Sequence, residues 1–337
     1  MTDPSPRLTM LIGSPRSGTT WLQSMLGAHP AIATPQETDI FTVYVKPQLR
    51  AWDVQMGWQR QADDRARRAK GLPLLLTEEQ FIGRVRGLID EMTHAAIALK
   101  PTASTVLEKS PSHSGCVEEI VRVTPDTSFI HIIRDGRDVA QSLMAAHADG
   151  WGRSWAPGSA AQAGRLWQRE LRAARRAASA PGGYCEVRYE DLRGPSGPTE
   201  LARVFAACGI DVSADGARDL LAAHDLEGMR ARGEVSTSIL TGGELGGDAR
   251  SRQEPAGFFR SGGATWRDAW SLGDRRAFHA VAGDLLTELG YEQDPSWVGG
   301  RLGFPLWQRL VHRGAGGTAR ILRRAAESAE RVPGRIA

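Results

Sequence analysis

Two stretches of this chain carry residue types suited to gripping phosphate. In the first, Leu8-Thr-Met-Leu-Ile-Gly-Ser-Pro-Arg-Ser-Gly-Thr-Thr-Trp21, an apolar run enters a loop bracketed by Gly13 and Gly18. Glycines let the backbone approach an anion closely, and the first N–H groups of a following helix then point at it. The loop departs from a Walker A motif, because the lysine expected after the second glycine is replaced by Thr19 and the nearby cation is Arg16. ATPases and kinases use that lysine on the β- and γ-phosphates beside magnesium, so its absence points to a nucleotide with a different leaving group. The second stretch is Phe129-Ile-His-Ile-Ile-Arg-Asp-Gly-Arg-Asp-Val-Ala-Gln-Ser-Leu143. Arg134 leaves the end of an apolar run, and Ser142 lies about two helical turns further on, so both side chains can converge on one phosphate. Asp135 and Asp138 are the alternative, salt-bridging partners of that arginine.

Such residues need a scaffold. The runs Leu8–Ile12, Thr105–Leu107, Ser128–Ile133 and Tyr184–Val187 read as buried strands. Helical patterns cover Gly18–Ala28, Glu78–Leu99, Gly115–Val123, Gly136–Ala146, Ala160–Ala178 and Asp274–Leu289. Strands alternating with helices predict an α/β fold: a P-loop-like three-layer sandwich with a mostly parallel central sheet, helices on both faces and ligands at the carboxyl ends of the strands. With 337 residues, 41% hydrophobic and 24% charged, the chain can bury a large core, and it lacks a run of the length that spans a membrane. Residues 1–300 are expected to form a single domain containing a mobile glycine-rich loop at about 231–263, either a surface linker or a lid. Residues 301–337 read as a basic amphipathic extension, with eight arginines against Glu327 and Glu330. It either docks on the body or contacts an anionic membrane surface or a carrier. The charge is too localised for a nucleic-acid binder. Three cysteines, Cys116, Cys185 and Cys208, without metal-like spacing fit packing roles in a cytoplasmic protein, and a secretory signal is not expected.

Together these stretches resemble the sulfotransferases that use 3′-phosphoadenosine 5′-phosphosulfate (PAPS). Pro15-Arg-Ser-Gly-Thr-Thr-Trp21 resembles the family's 5′-phosphosulfate loop, and Ile133-Arg-Asp-Gly-Arg-Asp-Val-Ala-Gln-Ser142 its 3′-phosphate element. Val187-Arg-Tyr-Glu-Asp-Leu192 is similar to the segment that brings a tyrosine to the adenine, and Phe258-Phe-Arg-Ser-Gly-Gly-Ala-Thr-Trp-Arg267 to the late glycine-bearing loop. In that last motif Ser261 replaces the usual lysine, and Arg260 reaches Trp266 in one residue fewer. The resemblance runs from about residue 8 to about residue 291.

The resemblance implies PAPS as co-substrate, no metal, and in-line transfer of a sulfuryl group to the hydroxyl of a small molecule, sugar, lipid or secondary metabolite. Arg16, Ser17, Gly18, Thr19 and Thr20 would meet the 5′-phosphate. Arg134 and Ser142, with Arg260, Ser261 and Gly262, would hold the 3′-phosphate, while Trp21 and Tyr189 flank the adenine. A histidine base in a lysine-threonine-histidine context is missing. Instead His29-Pro-Ala-Ile-Ala-Thr-Pro-Gln-Glu-Thr38 resembles the tyrosylprotein and heparan branches, which selects Glu37 as general base, with Asp39, His113 and His147 as alternatives. The Pro30–Pro35 segment can return the chain to the sheet edge beside the phosphate loop. Lys109, in Leu107-Glu-Lys-Ser-Pro111, matches a lysine that polarises the sulfate or the leaving phosphate. Trp52, Trp58, Trp151 and Trp155 are candidates for the acceptor pocket. Competing readings are a P-loop kinase of small metabolites and a nucleotide-binding protein without turnover.

Overall fold

The computed structural model describes residues 6–60, 70–225 and 266–299. The glycine-rich loop, with Arg260, Ser261 and Gly262, and the basic extension lie outside the described residues. Five parallel strands form one sheet in the order β2-β3-β1-β4-β5, with β1 Arg7–Ile12, β2 Ile32–Ala33, β3 Thr105–Glu108, β4 Ser128–Ile133 and β5 Tyr184–Arg188. Leu8 pairs with Val106 on one side of β1, and Met10 with Phe129 on the other. Continuous apolar runs are what a parallel sheet covered on both faces requires, and every residue of β3 and β4 is buried.

Side chains alternate between two cores. Leu8, Met10 and Ile12 of β1 pack with α2 (Lys46–Arg60), α3 (Glu78–Leu99) and α4 (Val117–Val123). Leu11 faces α1 (Thr19–Ala28) and the helices after β5: α7 (Tyr189–Arg193), α8 (Gly197–Ala207) and α9 (Ala214–Ala223). A third cluster joins α5 (Gly136–Ala148), α6 (Ala160–Ala174), α10 (Trp266–Ala269) and α11 (Leu272–Glu288). The expected three-layer α/β sandwich is therefore observed. Four strands fall where the apolar runs place them; β2 is an addition, only two residues long. A further departure is α2 with a π-helical turn before it, Ile40–Val45.

The turn from α1 into β2 sets where Glu37 lies. Lys100 Nζ donates to the carbonyls of Gly27, His29 and Ile32 at 2.8–2.9 Å, tying the end of α1 to the start of β2. Gln23 Nε2 then donates to Thr34 Oγ1 and the Pro35 carbonyl, and Thr34 Oγ1 donates to the Leu107 carbonyl. The return of Pro30–Pro35 to the sheet edge is thus real, fixed by side chains of α1 and β3. Cys116, Cys185 and Cys208 are buried and free, and burial pushes the Cys208 thiol up to about 12. Among the described residues, none of the helices is long and apolar enough to cross a membrane, and none of the His, Cys, Asp and Glu groupings could hold a metal ion.

Candidate active site

At the carboxyl end of β1 the chain turns through the Gly13–Gly18 loop into α1. Two positions require glycine: a Cβ on Gly13 would meet the Ile132 carbonyl at 2.6 Å, and one on Gly18, at φ 97°, would meet the Tyr189 ring at 2.7 Å. Arg16 sits at φ 74°, a left-handed conformation that a non-glycine residue adopts only when its surroundings hold it there. Those surroundings include Ser142, whose Oγ accepts from Arg16 Nε at 3.0 Å, and the Trp151 ring, 5.3 Å from the guanidinium. Arg134 Nη1 donates to the Arg16 carbonyl at 3.3 Å. The loop, the end of β4 and α5 therefore converge, as the spacing of Arg134 and Ser142 predicts. Ser17 Oγ and Arg134 Nε are buried without a hydrogen-bond partner. Two unsatisfied donors beside two arginines and a helix N-terminus suit an anionic ligand.

Tyr189 and Trp21 pack against each other beside the loop. They are 6% and 5% exposed, meet edge to face at 5.3 Å, and Trp21 Nε1 donates to the His224 carbonyl. Arg134 covers the Tyr189 ring at 4.4 Å, while Gly18 abuts its edge. Tyr189 thus packs against both the loop, at Gly18, and Arg134.

The Arg134 turn has a deep foundation. Trp167 of α6 donates from Nε1 to the Arg134 carbonyl at 3.2 Å, and its ring lies where a Cβ on Gly136 would fall, 2.5 Å away. Arg137, fully buried, pairs with Asp135 at 2.7 Å and Glu292 at 2.6 Å and lies 4.4 Å from the Trp266 ring and 5.1 Å from that of Trp297. Glu190 accepts from the Asp135 N–H and from Tyr291 Oη. Within this cluster burial pushes the Asp138 carboxyl up to about 6, with Arg134 opposing and Asp135 and Glu190 reinforcing.

On the other side of β1, Lys109 leaves β3 buried at 2% exposure and forms an ion pair with Glu37 Oε1. The same Nζ donates to Thr20 Oγ1 at 3.2 Å, in the first turn of α1. Base candidate, lysine and phosphate loop are thereby joined. The Glu37 side chain retains 36% exposure, so it can be reached from solvent. Its competitors are engaged elsewhere. His113 is fully buried, with Nδ1 against Glu108 and Nε2 accepting from the Phe41 N–H, and His147 Nδ1 bonds the Ala156 carbonyl. Asp39 accepts from Ser112. Trp52 is a core residue stacked on Phe81 at 4.5 Å, which removes it from any acceptor pocket. Trp58 is half-buried on α2. Trp151 lies at the site, while Trp155, 5.7 Å from it, is exposed.

Sequence reasoning missed Glu108, Arg137 and Glu190. The signal for Arg137 is the dense charge of the Arg134–Asp138 turn, which a surface loop shares; Glu108 reads only as the end of a strand.

A putative protein-tyrosine sulfotransferase of Caenorhabditis briggsae is 29% identical over 138 residues, 41% of this chain and 43% of that relative. The crystal structure of a mouse sulfotransferase complexed with PAP superposes with a TM-score of 0.52 at 13% identity, covering 85% of this chain and 88% of the other. The sulfotransferase domain of an olefin synthase from Synechococcus PCC 7002 gives a TM-score of 0.45 at 20% identity, with 85% and 96% covered. The family model described as "Sulfotransferase family" matches residues 9–214, the span that holds the phosphate loop, Glu37, Lys109, Arg134 and Tyr189, and the chain belongs to that family.

Proposed function

We propose that the protein transfers the sulfuryl group of PAPS to an acceptor hydroxyl, with Glu37 as general base. One observation carries the reading: Lys109 bonds Glu37 and Thr20 at once, so a carboxylate that solvent can reach is tied to the helix that opens from the phosphate loop. The residues present suit the donor. Arg16, Ser17 and the N–H groups opening α1 would hold its 5′-phosphosulfate, and Arg134 with Ser142 its 3′-phosphate. Bound there, PAPS would supply the sulfuryl group and a phosphate leaving group.

The protein's own part is to position and to move charge. Glu37 takes the proton of the attacking hydroxyl, a contribution of roughly 10²- to 10⁴-fold. Lys109 faces both the base and the loop, and it offsets negative charge growing on the leaving oxygen while keeping the base oriented. Arg16, fixed by Ser142 and Trp151, presents a preorganised cation to the same charge. Residues 1–300 act as one domain in this reading, with Arg260, Ser261 and Gly262 as additional contacts to the 3′-phosphate. The acceptor is a hydroxyl-bearing small molecule, sugar, lipid or secondary metabolite reached from the exposed side of Glu37.

Incubation with PAPS and a panel of such acceptors, without added metal, tests this. Sulfated product is expected, and 3′-phosphoadenosine 5′-phosphate should raise the Tm where ATP with magnesium does not. Absence of product together with stabilisation by ATP and magnesium would favour a kinase instead.

A further inference from the structure

The strand end that supplies Lys109 also grips the chain beyond Glu37. Alternation along an extended backbone sends Lys109 to one side and its neighbours Glu108 and Ser110 to the other. Glu108 is fully buried. Its Oε1 accepts from Thr38 Oγ1 at 2.7 Å, from the Thr38 N–H at 3.4 Å and from Ser110 Oγ at 2.7 Å, while Oε2 lies 2.7 Å from His113 Nδ1. Ser110 Oγ in turn accepts from the Asp39 N–H at 3.0 Å, and His113 Nε2 from the Phe41 N–H at 3.1 Å. That last bond fixes the imidazole tautomer, with the proton on Nδ1 donated to Glu108. Three backbone N–H groups within residues 38–41 are therefore held by side chains of residues 108–113. Asp39, between them, stands at φ 49°, a left-handed conformation that this clamp stabilises.

We propose that Glu108, acting with Ser110 and His113, is a positioning residue that sets the direction of Glu37 by clamping the backbone immediately after it. This inference rests on Glu37 being the base. Lys109 fixes the carboxylate from one side and Glu108 fixes its backbone from the other, so the Glu-Lys-Ser run works as a two-sided holder. A buried carboxylate serving stability alone could bond any nearby donors; here the backbone donors all belong to the segment that aims Glu37.

Glu108→Gln keeps the shape and replaces an acceptor oxygen by a donor that faces other donors. The expected result is a fall in kcat of about 10- to 100-fold, the scale of a 1 Å misplacement, with affinity for 3′-phosphoadenosine 5′-phosphate unchanged. In a Glu37→Gln background the same substitution should cost nothing further, because the group it positions is gone. Equal losses in both backgrounds, full turnover in Glu108→Gln, or nucleotide affinity falling in step with kcat would each overturn the proposal. Thr38→Val and Ser110→Ala each remove one hydroxyl of the clamp and carry the same criteria if Glu108→Gln does not fold. Wild-type turnover of PAPS is measured first. Its absence fails the sulfotransferase reading, whereas normal wild-type turnover with an indifferent Glu108→Gln fails the positioning role alone.

Discussion

The donor side and the base side of the site are built by different means. Around Arg16 and Arg134, short loops leaving β1 and β4 are shaped by backbone geometry: glycines pressed against Ile132, Tyr189 and Trp167, a left-handed Arg16, and a helix beginning at once. Around Glu37 there is almost no regular backbone. β2 has two residues, and Glu37 is placed by Lys109, Thr34 and Glu108 contacts that cross about 70 positions of sequence. In the proposed reading the donor side is a preformed cradle for phosphate, and the base side a carboxylate seated by side-chain hydrogen bonds. Substitutions on the first should act on binding and stability; those on the second should act on rate.

Trp167→Ala should do the most damage, and on the donor side. It empties the space under Gly136 and frees the Arg134 carbonyl, so unfolding in urea should show a loss of about 3–5 kcal/mol, typical for a buried aromatic. Lys109→Met sharpens the other side. With the loop intact, kcat should drop by about 10²- to 10³-fold, as for removal of one preorganised donor at a transition state, and nucleotide affinity should change far less.

The smallest effect concerns pH. Folding raises the Asp138 carboxyl from 3.8 to about 6, so the folded protein keeps a proton that the unfolded chain has lost. Stability is then lost as pH rises from about 4 to about 6 and stays lower above that. Asp138→Asn should therefore melt about 2–4 °C above wild type at pH 8, the shift for about 1 kcal/mol in a domain of this size. The gap should close below pH 4. A constant gap across this range would remove Asp138 as its source.

The same contrast explains what was legible in the sequence. The phosphate loop and the Arg134–Ser142 element are local: glycine positions, an apolar strand before and a helix after all lie within about fifteen residues, so type and spacing suffice. Glu37 and Lys109 came through resemblance, and their ion pair confirms only that they meet. Glu108 was opaque because nothing near it in sequence shows that Thr38, Asp39 and Phe41 will need its clamp. Arg137 reads as a surface charge until Trp266 and Trp297, more than 120 residues later, enclose it. Two residues of β2 are too few to display a period of two. Trp52 looked available for a ligand because its partner Phe81 belongs to another helix.

A crossed measurement separates the parts played by Glu37 and Arg134. Single-turnover rates with PAPS and calorimetric affinities for 3′-phosphoadenosine 5′-phosphate are taken on Glu37→Gln and Arg134→Ala. Glu37→Gln should lose about 10²- to 10⁴-fold in rate with its affinity intact. Arg134→Ala should lose about 10- to 100-fold in affinity, the worth of one charge-assisted bond, and keep most of its rate when saturated. A Glu37→Gln variant with full turnover would remove Glu37 as the base, and an Arg134→Ala variant with unaltered affinity would remove Arg134 from the nucleotide site.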